Sequence, residues 1–239
     1  QDGQDAKNEK DGKDVNWFRG TLSRQLSMRL QKLNVTTTVN DTPESITAAF
    51  QAYLKACEAR RAKRLASFTA NSPEIVFTKF RTLRPSFFAY TEGASDARAE
   101  CNYIAGGTLS KIKMNGIWAE EETLMTDEDG VYRDPNLHFD GQHLLFSWKK
   151  SAKEDDFHLY EMDLKTRDIK QLTFGKGHAD IEGIYLPDEN ILFNSTRCGS
   201  AVDCWFTEVS NMYLCDREGR YMRQVGFDQV HTVTPTLLD

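Results

Sequence analysis

The sequence predicts a mainly β protein, an incomplete β-propeller of about two to three four-stranded blades preceded by an N-terminal α-helical segment. The main observation is an internal repeat: DPNLHFDGQHLLFSW begins at Asp134, EGIYLPDENILFNST begins at Glu182, and a third copy begins at Thr234. In each of the first two copies a strand, a polar turn and a second strand precede a third strand with a tyrosine and a fourth strand. The copies are about 50 residues apart, and four short strands per repeat of this length are typical of a propeller blade.

Residues 71–239 are therefore assigned to blades, and the segment 75–126 to a degenerate earlier one. In that segment EIVFTKF and SFFAYTE alternate like strands, with TLSKIKMNG as the third strand and EETLMTD as the fourth. A propeller closes with typically 4–8 blades, about twice the number found here. We expect the remaining blades to come from a longer polypeptide or from another protein chain.

The N-terminal region divides into a flexible leader, residues 1–20, and a helical segment, residues 21–70. The leader is polar, whereas the helical segment has leucines at helical spacing and then a helix-start signal at Thr42, the expected N-cap, followed by Pro43. The apolar residues of the second helix predict one buried face: Ile46, Ala49, Phe50, Tyr53, Leu54 and Cys57.

A basic cluster lies near the expected end of that helix, and it has two interpretations: Arg60, Arg61, Lys63 and Arg64. The functional one is a patch that binds phosphate or anionic lipid. The alternative is a solvated last turn whose positive charge complements the helix dipole.

The net charge of −6 argues against a nucleic-acid partner, which usually requires a basic surface. No run approaches the roughly 18–20 apolar residues of a membrane span, so we expect no transmembrane segment. Of the five cysteines, only Cys198 and Cys204 are close in sequence. They are interpreted as a loop disulfide, with buried or metal-binding thiols as the alternative. A disulfide would indicate an oxidising compartment.

Two sets of segments carry a resemblance to known families. DPNLHFDGQHLLFSWKKS, HLYEMDLKTRDIKQLTFG and YLPDENILFNSTR resemble the blades of TolB-like propellers, the PD40 repeat. STRCGSAVDCWFTEVSNMYLCDREGRY looks like large bacterial proteins related to the hydrazine synthase alpha subunit. The resemblance implies a multidomain protein exported to the periplasm or the exterior, including association with the outer membrane. Haem chemistry does not carry over, because the C-x-x-C-H motif is absent.

Aligning the copies places several polar residues at the mouth of the propeller channel, where first strands begin: Asp134, His178, Asp180, Glu182 and His231, with Arg133 beside Asp134. Carboxylates and imidazoles in a ring could bind a divalent cation or a polar ligand. The alternative is that the carboxylates satisfy backbone N–H groups of the entering turns. Trp205 and Phe206, in the cysteine-bracketed loop, are the expected contact residues for a neighbouring blade or a partner.

No catalytic constellation is complete in the sequence, since neither a G-x-S-x-G elbow nor a phosphate-binding glycine motif occurs. The favoured function is an exported propeller segment that binds or scaffolds within a larger protein or complex, with no cofactor of its own apart from a divalent cation at the mouth. The alternative is the N-terminal part of a redox enzyme related to hydrazine synthase alpha, with haem in other domains. A weaker third hypothesis is a hydrolase or lyase with its site in the channel mouth.

Overall fold

The computed structural model describes residues 18–72, 74–81, 103–152, 155–203 and 207–238. The chain divides into a helical unit, residues 1–73 with 114–119, and a β unit, residues 74–113 with 120–239. The predicted strand SFFAYTE, most of the leader, and the residues Cys204, Trp205 and Phe206 lie outside the described residues.

Two helices form the helical unit: α1 over residues 18–32 and α2 over Pro43–Asn71. The expected N-cap is confirmed, because the Thr42 side chain accepts a hydrogen bond from Ser45 N–H and Pro43 opens the helix. Neither described helix is long and apolar enough to cross a bilayer.

Only part of the predicted apolar face of α2 is buried. Ala49 is buried against Leu26 and Leu30 of α1, with Ile46 and Tyr53 packed at its edge. Phe50 and Leu54 are 46% and 39% exposed. The apolar stripe is therefore wider than the single helix that covers it.

Eleven described strands form three antiparallel sheets in the β unit. The first sheet contains β1 (Glu74–Phe80), β2 (Gly107–Asn115) and β3 (Trp118–Asp127), in that order. β1 pairs directly with β2, from Glu74 opposite Lys113 to Phe80 opposite Gly107. Among the described strands of this sheet TLSKIKMNG is thus the second and pairs directly with EIVFTKF, whereas the sequence suggested the third.

The other two sheets confirm the predicted blades, each with its four strands in chain order. The first blade contains β4 (Val131–Leu137), β5 (His143–Lys149), β6 (His158–Asp163) and β7 (Ile169–Gln171). The second blade contains β8 (Asp180–Tyr185), β9 (Ile191–Ser195), β10 (Asn211–Cys215) and β11 (Arg223–Gln224). A short 3-10 helix, Thr196–Cys198, opens the excursion between β9 and β10.

Apolar residues fill the spaces between successive sheets. Leu145, Leu159 and Leu172 of the first blade pack against Tyr185, Phe193 and Tyr213 of the second. On the other side of the first blade, the ring of Tyr132 and its neighbours pack against Leu109 of β2. The sheets thus stack face to face, as blades do, and no closed ring forms among the described residues.

The third copy of the repeat, described over residues 234–238, does not form a strand, and neither does the segment 225–233 before it. In this C-terminal segment, residues 225–238, several apolar side chains face solvent: Phe227 is 78% exposed, Val230 65% and Leu238 91%.

Candidate functional site

Each blade begins with a bulge in its first strand. The pairing of β4 with β5 shifts register between Arg133 and Asn136, and that of β8 with β9 shifts between Ile181 and Ile184. Asp134 and Glu182 occupy these bulges with left-handed φ values of 54° and 57°. A bulge adds one residue that the ladder does not pair, so its N–H needs another acceptor.

A relay of hydrogen bonds provides that acceptor from the preceding copy. The Asp134 carboxylate accepts from Glu182 N–H at 3.2 Å, and the Glu182 carboxylate accepts from Thr234 N–H at 2.6 Å. Thr234 has the same left-handed backbone, with φ 49°. We call Asp134, Glu182 and Thr234 the inner-strand relay. Here the two carboxylates satisfy backbone N–H groups, the alternative that the sequence had left open.

A buried arginine lies between the two relay carboxylates. Arg133 is 5% exposed; its Nε donates to Asp134 Oδ2 at 2.6 Å, and a terminal nitrogen lies 3.5 Å from Glu182 Oε1. The other terminal nitrogen donates to the Tyr103 hydroxyl at 2.6 Å. Burial raises the pKa of Glu182, and the hydrogen bonds from Thr234 and Asn194 oppose that rise. The guanidinium thus supplies a positive charge where the sequence predicted a cation.

Asp180 belongs to a separate cluster between the two blades. Its carboxylate accepts from Ser195 Oγ at 2.6 Å and from two nitrogens of Arg197 at 2.9 and 2.7 Å, and His158 Nδ1 lies 3.6 Å away. Burial alone would raise the pKa of Asp180, but His158, Arg197 and Ser195 outweigh it and lower the pKa to about 2. This cluster ties the start of β8 to the end of β9 and to β6.

The two predicted histidines lie apart from the relay. His178 is half-buried, with Nε2 3.2 Å from the carbonyl oxygen of Phe174 and its ring centroid 6.1 Å from that of His158. His231 Nδ1 accepts from Ser210 N–H at 3.3 Å, and burial lowers its pKa. Of the five predicted mouth residues, the structure brings Asp134 and Glu182 into direct contact and places the other three elsewhere.

Cys198 has a free thiol that donates to the carbonyl oxygen of Val209 at 3.1 Å. Its predicted partner Cys204 and the predicted contact residues Trp205 and Phe206 lie outside the described residues, so the disulfide and the contact role stay predictions.

The sequence analysis missed one group of side chains with metal-ligand chemistry. His138, Asp140 and His143 lie in the turn between β4 and β5, and their ligand atoms are within 4.8 Å of one another. Within the described part of the chain, it is the group of three His, Cys, Asp or Glu residues whose ligand atoms lie this close together. The H-x-D-x-x-H spacing was visible in the sequence, but the turn was interpreted only as a repeat landmark.

The basic cluster of α2 lines a groove in the helical unit. The helix continues to Asn71, so the cluster does not form its last turn as the dipole interpretation required. The groove has a volume of about 730 Å³ and lies between α1 and α2; five cations line it: Arg29, Lys32, Arg60, Arg61 and Arg64. α1 thus adds two positive charges to the patch that the sequence indicated.

No family model and no curated protein match this chain. Similar solved structures include TolB from Agrobacterium tumefaciens (16% identity, TM-score 0.39, 52% of this chain and 43% of that one). TolB from Acinetobacter baumannii is also similar, with 20% identity and a TM-score of 0.34 over 50% of this chain and 29% of that one. A puromycin-hydrolyzing peptidase from Mycobacterium tuberculosis has 10% identity and a TM-score of 0.40 over 66% of this chain and 21% of that one.

The chain spans less than half the length of each of these neighbours. They agree with the TolB-like part of the resemblance and do not bear on the hydrazine synthase part. Because these TM-scores are low, the mainly β architecture is argued from the three antiparallel sheets of the chain itself. The structural neighbours are TolB-like.

Proposed function

We propose that the β unit is part of a propeller that acts as a binding or scaffolding module, and that a further four-stranded blade covers the second blade. The observation that carries this proposal is the third member of the inner-strand relay. Thr234 has the left-handed backbone of Asp134 and Glu182, and its N–H is capped by a carboxylate as that of Glu182 is, although residues 225–238 form no strand. The segment is thus positioned as the start of another first strand.

The exposure of equivalent residues in the three copies also supports a further blade beside the second one. The residue before the relay position is Arg133, Ile181 and Val233 in the three copies. The first two are 5% and 0% exposed, whereas Val233 is 41% exposed. Arg133 is enclosed by Tyr103, Asp134 and Glu182, and Ile181 by residues such as Val131 and Phe157. We expect the strands of a further blade to reduce the exposure of Val233 in the same way, and to cover the exposed Phe227.

The test is photo-crosslinking in cells that make the native protein, with a photoreactive residue in place of Phe227. We expect crosslinks to a polypeptide segment with the strand, D-G turn, strand skeleton of the blades, in the same chain or in another. A matched photoreactive residue at the exposed Thr166, on the outer turn of the first blade, should not give that product. Crosslinks from position 227 only to proteins without this skeleton, or none at all, would refute the proposal.

We further propose that the protein is exported, on the basis of the predicted Cys198–Cys204 disulfide, which would need an oxidising compartment. The Cys198 thiol is free in the structure, so the pair needs a direct test. Peptide mapping of the native protein without reductant should find the two cysteines in one linked pair. Alkylatable thiols at both positions would remove this support.

The alternative function, the N-terminal part of a redox enzyme related to hydrazine synthase alpha, rests on the resemblance of the cysteine-bracketed segment and of the segments FAYTEGASDARAE and FDQVHTVTPTLLD. It predicts haem absorbance in the native assembly, and a colourless assembly would contradict it.

A further inference from the structure

The turn between β4 and β5 holds a carboxylate in a fixed position. Asp140 Oδ1 accepts hydrogen bonds from Gln142 N–H at 2.7 Å and His143 N–H at 3.1 Å. Gly141 provides the left-handed backbone that the turn needs, with φ 69°. One carboxylate oxygen is thus used by the turn, and Oδ2 faces the two imidazoles.

Both imidazoles direct the same nitrogen toward that oxygen. Nδ1 of His138 lies 2.9 Å and Nδ1 of His143 lies 2.7 Å from Asp140 Oδ2. Their Nε2 atoms face other carboxylates, Glu189 at 3.2 Å and Asp163 at 4.0 Å. Histidines that bind metals commonly have this arrangement, with one nitrogen toward the metal and the other toward a carboxylate that orients the ring.

The next blade shows that the fold does not need these histidines. His138 N–H donates to His143 O at 2.8 Å, and in the equivalent turn Leu186 N–H donates to Asn190 O at 2.8 Å. Asp188 makes the same turn contact as Asp140, accepting from Asn190 N–H. Leucine and asparagine therefore occupy the positions of the two histidines in a turn that is one residue shorter, and the carboxylate is common to both.

The charge around the turn favours a cation. Four carboxylates surround the imidazoles: Asp140, Glu161, Asp163 and Glu189. Arg217 opposes them and lies 3.1 Å from Glu161, 3.0 Å from Glu189 and 3.9 Å from Asp140 Oδ2, and Lys165 acts on Asp163.

From this geometry we propose that the turn binds one divalent transition-metal ion of the zinc type through Nδ1 of His138, Nδ1 of His143 and the carboxylate of Asp140. Two imidazoles and one carboxylate suit Zn²⁺, and water would complete its tetrahedral coordination. Binding replaces the hydrogen bond that His138 Nδ1 accepts from Asp140 N–H at 3.2 Å. The site is independent of the proposed function, because it lies within one hairpin.

The test is calorimetric titration of the metal-free chain with Zn²⁺, compared with His143→Asn. Asparagine is the residue of the equivalent turn, and the His143 side chain is 30% exposed, so the variant should fold. We expect one equivalent of Zn²⁺ to bind the wild type, and the variant to bind it at least tenfold more weakly. Asp140→Asn, which keeps the turn acceptor but loses the charge, should also weaken binding.

His178→Asn is the matched control, since His178 is also half-buried but lies outside the turn. It should bind Zn²⁺ as the wild type does, and circular dichroism should show native spectra for all variants. Absence of Zn²⁺ binding by the wild type would overturn the proposal. Equal binding by the wild type and His143→Asn would overturn it too, because the metal would then be held elsewhere, for example by thiols.

Discussion

Removing the central carboxylate of the inner-strand relay should destabilise the β unit and release Thr234. In Glu182→Ala, Thr234 N–H and the Asn194 side-chain amide both lose their acceptor, and Arg133 loses one of its two carboxylates. A buried donor without an acceptor costs about 1–3 kcal/mol, and breaking a buried ion pair costs about 3–5 kcal/mol. Because Thr234 lies in an exposed segment, water can replace one acceptor, and we expect a loss of about 3 kcal/mol in the free energy of unfolding.

Two matched variants separate the causes. Glu182→Gln keeps an oxygen acceptor and removes the charge; since burial already disfavours the ionised form, we expect it to cost about 1 kcal/mol. Glu218→Ala removes an exposed carboxylate paired with Lys170, and its cost should stay below about 0.5 kcal/mol.

The assays are urea denaturation for the free energy of unfolding and amide hydrogen exchange for the relay itself. The Thr234 amide should exchange slowly in the wild type and in Glu182→Gln, and fast in Glu182→Ala. The relay does not couple the copies if Glu182→Ala loses no more free energy of unfolding than Glu218→Ala. The same follows if the Thr234 amide of Glu182→Ala stays protected from exchange.

Two further predictions concern the packing between the blades. Because the pKa of Asp180 is lowered to about 2 in the folded protein, its ionised form contributes stability that is present above about pH 4 and lost as the pH falls toward 2. The free-energy difference between the wild type and Asp180→Asn should therefore shrink by roughly 2 kcal/mol over that range in acid titrations of urea stability, and a difference independent of pH would contradict it. Gly183→Ala should cost about 1–3 kcal/mol, because its Cβ would lie 2.7 Å from Leu145 Cδ2 and 3.1 Å from Leu159 Cδ2. Gly183 does not have a left-handed φ, so packing should set this cost, and a cost near zero would contradict the prediction.

The repeat in the sequence predicted both complete blades, because strand alternation and turn residues recur wherever two faces of a sheet are buried. It also placed Asp134 and Glu182 at equivalent positions. The sequence could not show that Arg133 lies between them, since the alignment puts Ile181 at the arginine's position in the next copy. The bulges that turn these carboxylates toward a backbone N–H also depend on the pairing of β4 with β5 and of β8 with β9. The sequence of one strand does not show that pairing.

The metal-ligand group was not predicted for the opposite reason, because it does not recur in the repeat. His138 and His143 are the positions at which the first blade departs from the second, and a search for what repeats passes over what does not. The pairing of β1 with β2 was missed because the residues between them suggested a further strand, whereas pairing partners are set by tertiary contacts rather than by order along the chain.

The inner-strand relay also gives the array a direction. The second and third copies each donate the N–H of their relay residue to the carboxylate of the copy before, so the coupling runs one way along the chain. In a nearest-neighbour description of stacked repeats, removing one carboxylate uncaps the N–H of the next copy and leaves the N–H of its own copy unaffected. Loss of the Asp134 carboxylate should accordingly loosen the copy that begins at Glu182, and loss of the Glu182 carboxylate the segment that begins at Thr234.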